Sequence, residues 1–412
     1  MLDIKNSFHF RLISYLFVLM PVTLLTGPFL PDLFLSLLAL YFLFISLKFK
    51  LFGYYKSIFV YLFSFFYFYL LIRGIFSQYP YESLIKYNGP IFYFRYLFFV
   101  LGIKFILDVS PEFIKKFTFS LLLVIIFCCI DGFFQWIFGF NLFGFKSPSI
   151  RVTGIFGSEE ILGHFLSHVT PLLIALLTFL YGVNKKKILL YISILMLSEI
   201  MIFISNDRAG FLKIFQFTLL LIILSSHFKI FRLISFIISI IIISILINFA
   251  PDSSTRFEHT LRDVSSTTIP YMPWAPSHET HFSVAFDMFF NNPIFGQGPQ
   301  LFKTLCHITP EYLDACTSHP HNYYVQTLGE LGLVGISFLI LGFLYSSFVL
   351  IKHFIALWFT KNKKNLLSDY YLFLMCFIFL ILWPLIPHQS FYNNWLNVML
   401  YLPVGFALYF KK

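Results

Sequence analysis

Charge is what this chain has least of. Only 12% of its 412 residues are Asp, Glu, Lys or Arg, against about a quarter in an ordinary soluble domain. That shortage excludes a wetted globular surface. A small-residue cleavage site is missing after the first apolar run, so a cleaved signal peptide is not expected and the run reads as a start-transfer helix. Cysteine is sparse, with five in all. Cys128, Cys129 and Cys376 fall inside apolar runs and read as small packing residues, whereas Cys306 and Cys316 lie in polar surroundings. A zinc-protease motif is also absent. His278–Glu279–Thr280–His281 places its second histidine at i+3 where that motif needs i+4, so no catalytic metal is expected there.

Apolar sequence is what the chain has in excess: 58% hydrophobic residues and 59 Phe, with a mean hydropathy of +0.82. Runs of roughly 17–25 apolar residues suit membrane-spanning helices, and about twelve are found, near 10–26, 29–48, 57–77, 89–108, 117–139, 160–182, 187–205, 210–226, 230–250, 322–351, 368–387 and 391–409. The fold class expected is therefore all-α, a polytopic integral membrane protein. The net charge of +10 follows the topology. With the N-terminus inside, nineteen Lys and Arg fall on the inner side, Arg232 among them. Five (Arg73, Lys86, Lys146, Arg151 and Arg208) fall in the short outer loops. This is the bias of the positive-inside rule, and it argues for membrane lipids and against nucleic acid as the partner of the positive charge.

Spans one to nine then occupy residues 1–250, one large external loop occupies 251–320 between spans nine and ten, and spans ten to twelve occupy 321–412. Loops that long are usually functional or disordered. Within it, residues 278–302 read as an amphipathic helix with Phe282, Phe286, Phe289 and Phe290 at helical spacing, stopped by Asn-Asn-Pro and a Gly-x-Gly turn. The Phe stripe suits either the bilayer surface or packing on the spans beneath. A disulfide is expected between Cys306 and Cys316, since an outer compartment permits one; two unpaired thiols sharing a loop is the plainer reading.

The densest set of polar groups is HPHNYYVQTLGELGLVG, from His319 to Gly335. His321 starts the tenth span, and an imidazole with an ordinary pKa of about 6.5 can accept a proton at physiological pH; a helix-entry histidine bonded to a loop carbonyl would look the same. Asn322, Gln326 and Glu330 repeat every four residues and form one polar seam entering the membrane. Glu330 is about half a turn out of phase with His321, so another span is its expected partner. Gly329, Gly332 and Gly335 repeat every three residues and permit a neighbouring helix to approach closely. Arg208 falls in a short outer turn beside Asp207, and Arg151 precedes span six. Both offer the planar fork of donors that suits phosphate, although a snorkelling or Asp-neutralised arginine is the bland alternative. Polar groups gathered at one membrane surface, with no repeat symmetry between halves, argue against a transporter, which would place them near the midplane.

HNYYVQTLGELGLVG resembles the pattern of the O-antigen ligase and polymerase superfamily, carried here by His321, Asn322, Gly332 and Gly335. FSVAFDMFFNNPIFGQGPQLF is similar to the family's helix ending in Pro-x-x-Gly-x-Gly, matched by Pro293, Gly296 and Gly298. SNDRAG resembles its Ser-Arg-Gly turn with Arg208 in the Arg position, and RVTGIFGSEE its Arg-x-x-Gly-x-Phe segment. The resemblance covers roughly residues 150–340. It implies transfer of a glycan from undecaprenyl diphosphate at the periplasmic face of the bacterial inner membrane, with both chain termini cytoplasmic. The acceptor would be lipid A-core for a ligase, or a second carrier-linked glycan for a polymerase. It further implies His321 as the acceptor's base, supported by His319, Asn322, Gln326 and Glu330, and donor diphosphate bound by Arg208 with Arg151. The family needs no metal or nucleotide, and one displacement inverts the anomeric centre. The family's second Arg falls fifteen residues before Pro293, where this chain has His278; His278, Arg256 or Arg262 is left to take its place. Ser158–Glu160 also departs from the Asn-containing segment of the family.

Overall fold

A computed structural model describes residues 2–86, 89–147, 149–227, 229–249, 276–309, 316–360 and 366–411. Among these the chain is helical, with no strand; Phe140 and Lys146 form an isolated bridge. The principal helices are α1 Phe8–Thr23, α2 Phe29–Lys48, α3 Ile58–Ile75, α4 Phe94–Val109, α5 Glu112–Phe138, α6 Leu162–Tyr181 and α7 Lys185–Ile204. After them come α8 Arg208–Leu224, α9 Lys229–Phe249, α10 Pro276–Asn291, α11 Leu301–Ile308, α12 Tyr323–Trp358, α13 Asp369–Ile381 and α14 Asn394–Phe410. Arg256, Arg262 and the side chain of His278 lie outside the described residues.

A chain in lipid must satisfy its backbone internally, which leaves helices as the economical solution. Among the described residues eight helices are long and apolar enough to cross a membrane: α1 to α7 and α12. The other four expected spans coincide with α8, α9, α13 and α14, which are helical but shorter in their apolar parts, such as Arg232–Ile245 and Asp369–Ile381. Helix starts are capped by short polar side chains: Ser57 Oγ accepts from Val60 N, Asn184 Oδ1 from Lys187 N, Asp207 Oδ1 from Gly210 N and Asn393 Oδ1 from Leu396 N. Large apolar side chains such as Phe65, Phe68, Phe119 and Leu344 stand exposed on the bundle's outside. A water-soluble protein rarely shows such surface in quantity.

Contacts sort the connections onto two faces. On one, Trp395 Nε1 at the start of α14 donates to Leu24 O, Ser83 Oγ to Pro299 O, and Asn206 Nδ2 to Ile150 O. On the other, Lys5 pairs with Glu112, Tyr54 bonds Asp108, His353 bonds Leu224 O and Trp358 bonds Ile223 O. The connections named here therefore alternate between the faces, as a multi-span bundle requires.

Two expectations are corrected. Arg232 is not a loop charge. It is fully buried in α9 and paired with Glu199 of α7, while Ser239 Oγ and Thr218 Oγ1 donate to the same carboxylate and Ser235 Oγ accepts from Arg232 Nη1. The inner-side count falls from nineteen to eighteen, against the same five, so the bias persists. Nor are polar groups confined to one surface. Besides this network, His168 Nε2 on α6 lies 3.2 Å from Lys213 Nζ on α8, both buried. A buried charge is costly unless paired, so removing one partner exposes the full penalty. Arg232→Ala is expected to lower stability by about 3–5 kcal/mol, read as the thermal unfolding midpoint in detergent. The apolar double variant Glu199→Leu with Arg232→Met should recover most of that loss; a single variant as stable as the parent would show the pair to be dispensable.

Candidate active site

The site is built on a break in α12. Gly332 has φ 62° and ψ −162° inside an otherwise continuous helix of 36 residues. Such a break releases backbone groups that cannot be left bare. The segment that follows α10 takes them up: Gln297 N donates to Gly329 O, Gly298 N to Glu330 O, Leu333 N to Pro293 O and Val334 N to Ile294 O. Tyr69 OH donates to Leu331 O. The spacing Pro293-x-x-Gly296-x-Gly298 is the geometry of this clasp. Gly296 has φ 69°, and a Cβ there would stand 2.3 Å from the Glu330 carbonyl carbon. Arg73, legible in the sequence only as a topology charge, holds the clasp from α3 through Nε to Phe295 O and Nη2 to Gly296 O.

Glu330 is 1% exposed. Its partner is not another span, as expected, but the loop: Oε2 accepts from Gln300 N and Oε1 from Phe302 N, each at 3.0 Å, so the carboxylate caps α11. Gln326 Nε2 reaches Oε1 at 3.4 Å, and Gln326 Oε1 accepts from Phe391 N at 2.9 Å. The polar seam thus ties α11 on one side to the α13–α14 connection on the other. The glycine reading holds at Gly329, where a Cβ would stand 2.7 Å from Ala285 O of α10. On α10 the buried face is Phe282, Val284, Ala285 and Met288, with Phe290 exposed, so packing claims only part of the Phe stripe. Val284, Ala285 and Met288 form a small core with Phe302 and Cys306. Cys306 is disulfide-bonded to Cys316 across a Cα–Cα distance of 5.3 Å.

His321 precedes α12 by two residues. Asn322 is the cap, accepting from Tyr324 N and Val325 N and donating to Pro384 O at 2.8 Å. His321 has φ 55°, a conformation uncommon outside glycine and one that concentrates at functional sites. Its carbonyl accepts from His388 N at 2.8 Å. The ring centroids of His319 and His321 are 4.2 Å apart and those of His281 and His321 5.8 Å, while Ser318 Oγ lies 2.8 Å from His319 Nδ1. His388 stacks on Tyr323 at 4.3 Å. Burial first, and the Lys213 charge second, push its pKa down to about 3, so it stays neutral and supports the His321 backbone. Among the described residues no three His, Cys, Asp or Glu side chains are placed to hold a metal ion.

Next to the histidines lies a cleft of about 460 Å³. The loop contributes Gln300, Lys303, Ser318 and His319 to its lining, and α12 contributes Gln326 and Glu330. The α13–α14 connection adds Gln389, Ser390, Tyr392, Asn393 and Asn394. That last group escaped sequence reasoning, although HQSFYNNW is a visible polar island between two apolar runs.

Arg208 is the first residue of α8, and Asp207 beside it serves as the cap. Arg151 pairs with Glu160 at 2.9 Å. The two arginine-bearing turns meet through Asn206 and Ile150. The loop after Arg151 reaches α14, where the Phe156 and Trp395 rings are 6.2 Å apart. The structure therefore gathers the histidines with one another and the arginine turns with one another, and joins the two groups through the start of α14.

Glu330→Gln is expected to cost about 1–3 kcal/mol, because its amide would place N–H groups against a backbone N–H it must accept from. The α11 segment should then become more open to protease in the folded, detergent-solubilised protein. Unchanged cleavage and melting would show that the cap contributes nothing.

The O-antigen ligase family model matches residues 191–340, from α7 into the first half of α12. The match takes in Arg208, His281, His319, His321 and Glu330, and leaves out Arg151 and the Gln389–Asn394 connection. No curated protein matches the chain. The matched stretch, which spans both the arginine turn and the histidine cluster, is similar to the O-antigen ligase family of membrane glycosyltransferase-like ligases and polymerases.

Proposed function

We propose that the protein is a membrane glycosyltransferase of the ligase type, moving a glycan from undecaprenyl diphosphate to lipid A-core. On this reading the chain spans the inner membrane twelve times with both termini cytoplasmic. The face that carries the histidines is periplasmic, consistent with eighteen basic residues against five. One observation carries the proposal: within the family-matched stretch, His321 stands with His319 at the edge of a polar cleft that opens among otherwise apolar helices.

His321 accepts the proton of an acceptor hydroxyl as its oxygen attacks the anomeric carbon. The bond from that carbon to the diphosphate oxygen breaks, the diphosphate leaves with the electron pair, and the centre inverts. Arg208 holds the diphosphate oxygens, with Arg151 in the adjoining turn. The leaving group is already stable as an anion, so the reaction calls for neither metal nor nucleotide. The Cys306–Cys316 bridge ends three residues before His319 and limits the freedom of the strand leading to the base; non-reducing mass spectrometry should recover the two peptides linked.

Purified protein given carrier-linked glycan and lipid A-core should form the coupled product. Elongation of carrier-linked glycan instead would assign the polymerase role. His321→Ala should lower the transfer rate about 10²–10⁴-fold in a folded protein. Arg208→Lys keeps the charge but loses the fork, so donor KM should rise, and further in Arg208→Ala. Near-normal turnover of the His321 variant would remove it from the chemistry, and unchanged donor KM in both Arg208 variants would leave that residue a structural role.

A further inference from the structure

The Gln389–Asn394 connection lies outside the family-matched stretch, yet it forms one wall of the cleft beside the histidines. The lining as a whole is neutral and hydrogen-bonding. It holds five amides (Gln300, Gln326, Gln389, Asn393 and Asn394) and three hydroxyls (Ser318, Ser390 and Tyr392). Among the described residues two charged side chains line it, and both oxygens of one, Glu330, are engaged by backbone N–H groups. The other, Lys303, is the sole Lys or Arg of the lining among the described residues. A diphosphate, with its several anionic oxygens, calls for more positive charge than that.

Sugar hydroxyls both donate and accept, and an amide side chain offers one group of each kind. Several amides in the lining can still do so. Gln389 makes no side-chain hydrogen bond among the described residues. Asn393 and Asn394 each use only their oxygen, Asn393 to cap α14 and Asn394 to accept from Tyr96 OH at 3.0 Å. Their amide nitrogens have no partner among the described residues. The wall is held before any ligand arrives, because Gln326 Oε1 fixes Phe391 N and the α14 cap fixes Asn393. A volume of about 460 Å³ falls within the range of clefts that bury small ligands, roughly 300–1,000 Å³. The end of the cleft at His319 lies against His321, so a hydroxyl there is the one the base would reach.

We infer that the Gln389–Asn394 connection is the sugar-recognising wall of the acceptor subsite, with Gln389 and Asn394 as specificity-determining contacts to the acceptor's hydroxyl-bearing rings. This rests on the transfer reading above, in which an acceptor sugar must sit against His321.

Binding, measured apart from turnover, tests it. The full-length protein in nanodiscs would be titrated with lipid A-core as the acceptor probe and with undecaprenyl-diphosphate-linked glycan as the donor probe. Gln389→Ala, Gln389→Leu and Asn394→Ala would be compared with the parent, each checked for an unchanged unfolding midpoint. Among the described residues Gln389 has no side-chain hydrogen bond to lose, so its variants should fold even if Asn394→Ala does not. Each lost hydrogen bond should weaken acceptor binding about 2- to 10-fold and leave donor binding unchanged. Unchanged acceptor affinity in folded variants, weakened donor affinity in their place, or a parent that binds no acceptor would each overturn the assignment. A parent that binds the acceptor, loses affinity in these variants and yet transfers nothing would keep the subsite and defeat the transfer reading instead.

Discussion

At Gly332 the helix that carries the site stops being a helix, and the organisation of the face follows from how that break is repaired. In lipid, a backbone carbonyl or N–H without a partner costs several kcal/mol. The carbonyls of Gly329, Glu330 and Leu331 and the N–H groups of Leu333 and Val334 are each taken by the Pro293–Gly298 segment or by Tyr69. A loop that could have been a tether becomes part of the wall. Once it is docked, the Glu330 carboxylate lies under the start of α11 and receives two N–H groups there. That fixes where Gln300, Lys303 and the disulfide-bonded Cys306 stand. Gly296 and Gly298 belong to the same arrangement, since a Cβ on Gly296 would meet the α12 backbone at Glu330 and one on Gly298 would stand 2.6 Å from Ser77 Cβ.

Deeper in the bundle two buried polar groups set the position of α8. His168 on α6 donates through Nδ1 to His164 O, so its Nε2 is left to accept from Lys213 of α8. On another face of α8, Thr218 joins Glu199 of α7 and Arg232 of α9. Buried polar groups of this kind add little net stability but penalise every arrangement that leaves them unpaired. For α8 the consequence is a fixed rotation and depth between three neighbours. Arg208 is its first residue, so the same contacts fix where that guanidinium leaves the helix.

Much of the architecture was legible, and the failures have physical causes. All twelve apolar runs became helices because in lipid the backbone leaves little alternative, and the alternation of faces followed from their order. Arg232 was misread because charge near the end of an apolar run is ordinarily snorkelling charge; Glu199, which overrides that rule, sits on a helix thirty-three residues earlier. The helix start at His321 and Asn322 was legible because its spacing to Gly332 and Gly335 is local. Glu330 was found as a polar group, but its partner was missed: a helical period gives the face a side chain occupies and says nothing of a loop folding back on it. Gln389 to Asn394 were missed for a related reason. Their meaning comes from lining one cleft with His319, and that proximity exists only after α12, α13 and α14 have packed.

The position of His321 then has a physical account that does not depend on its neighbours in sequence. Its backbone holds a positive φ just before the cap of α12, a conformation that costs of order 1–3 kcal/mol for a residue with a side chain. The surroundings over-determine it. His388 N donates to its carbonyl, Asn322 is tied both to α12 and to Pro384, and Tyr323 is stacked on His388. Each of these holds comes from the α13–α14 connection or from α12 itself, and the same connection supplies the amides that face the cleft. The element that strains the histidine into place is therefore also an element that lines the cleft. A shift in one moves the other, and the spacing between the proposed base and whatever the amides hold is set by a single packed loop.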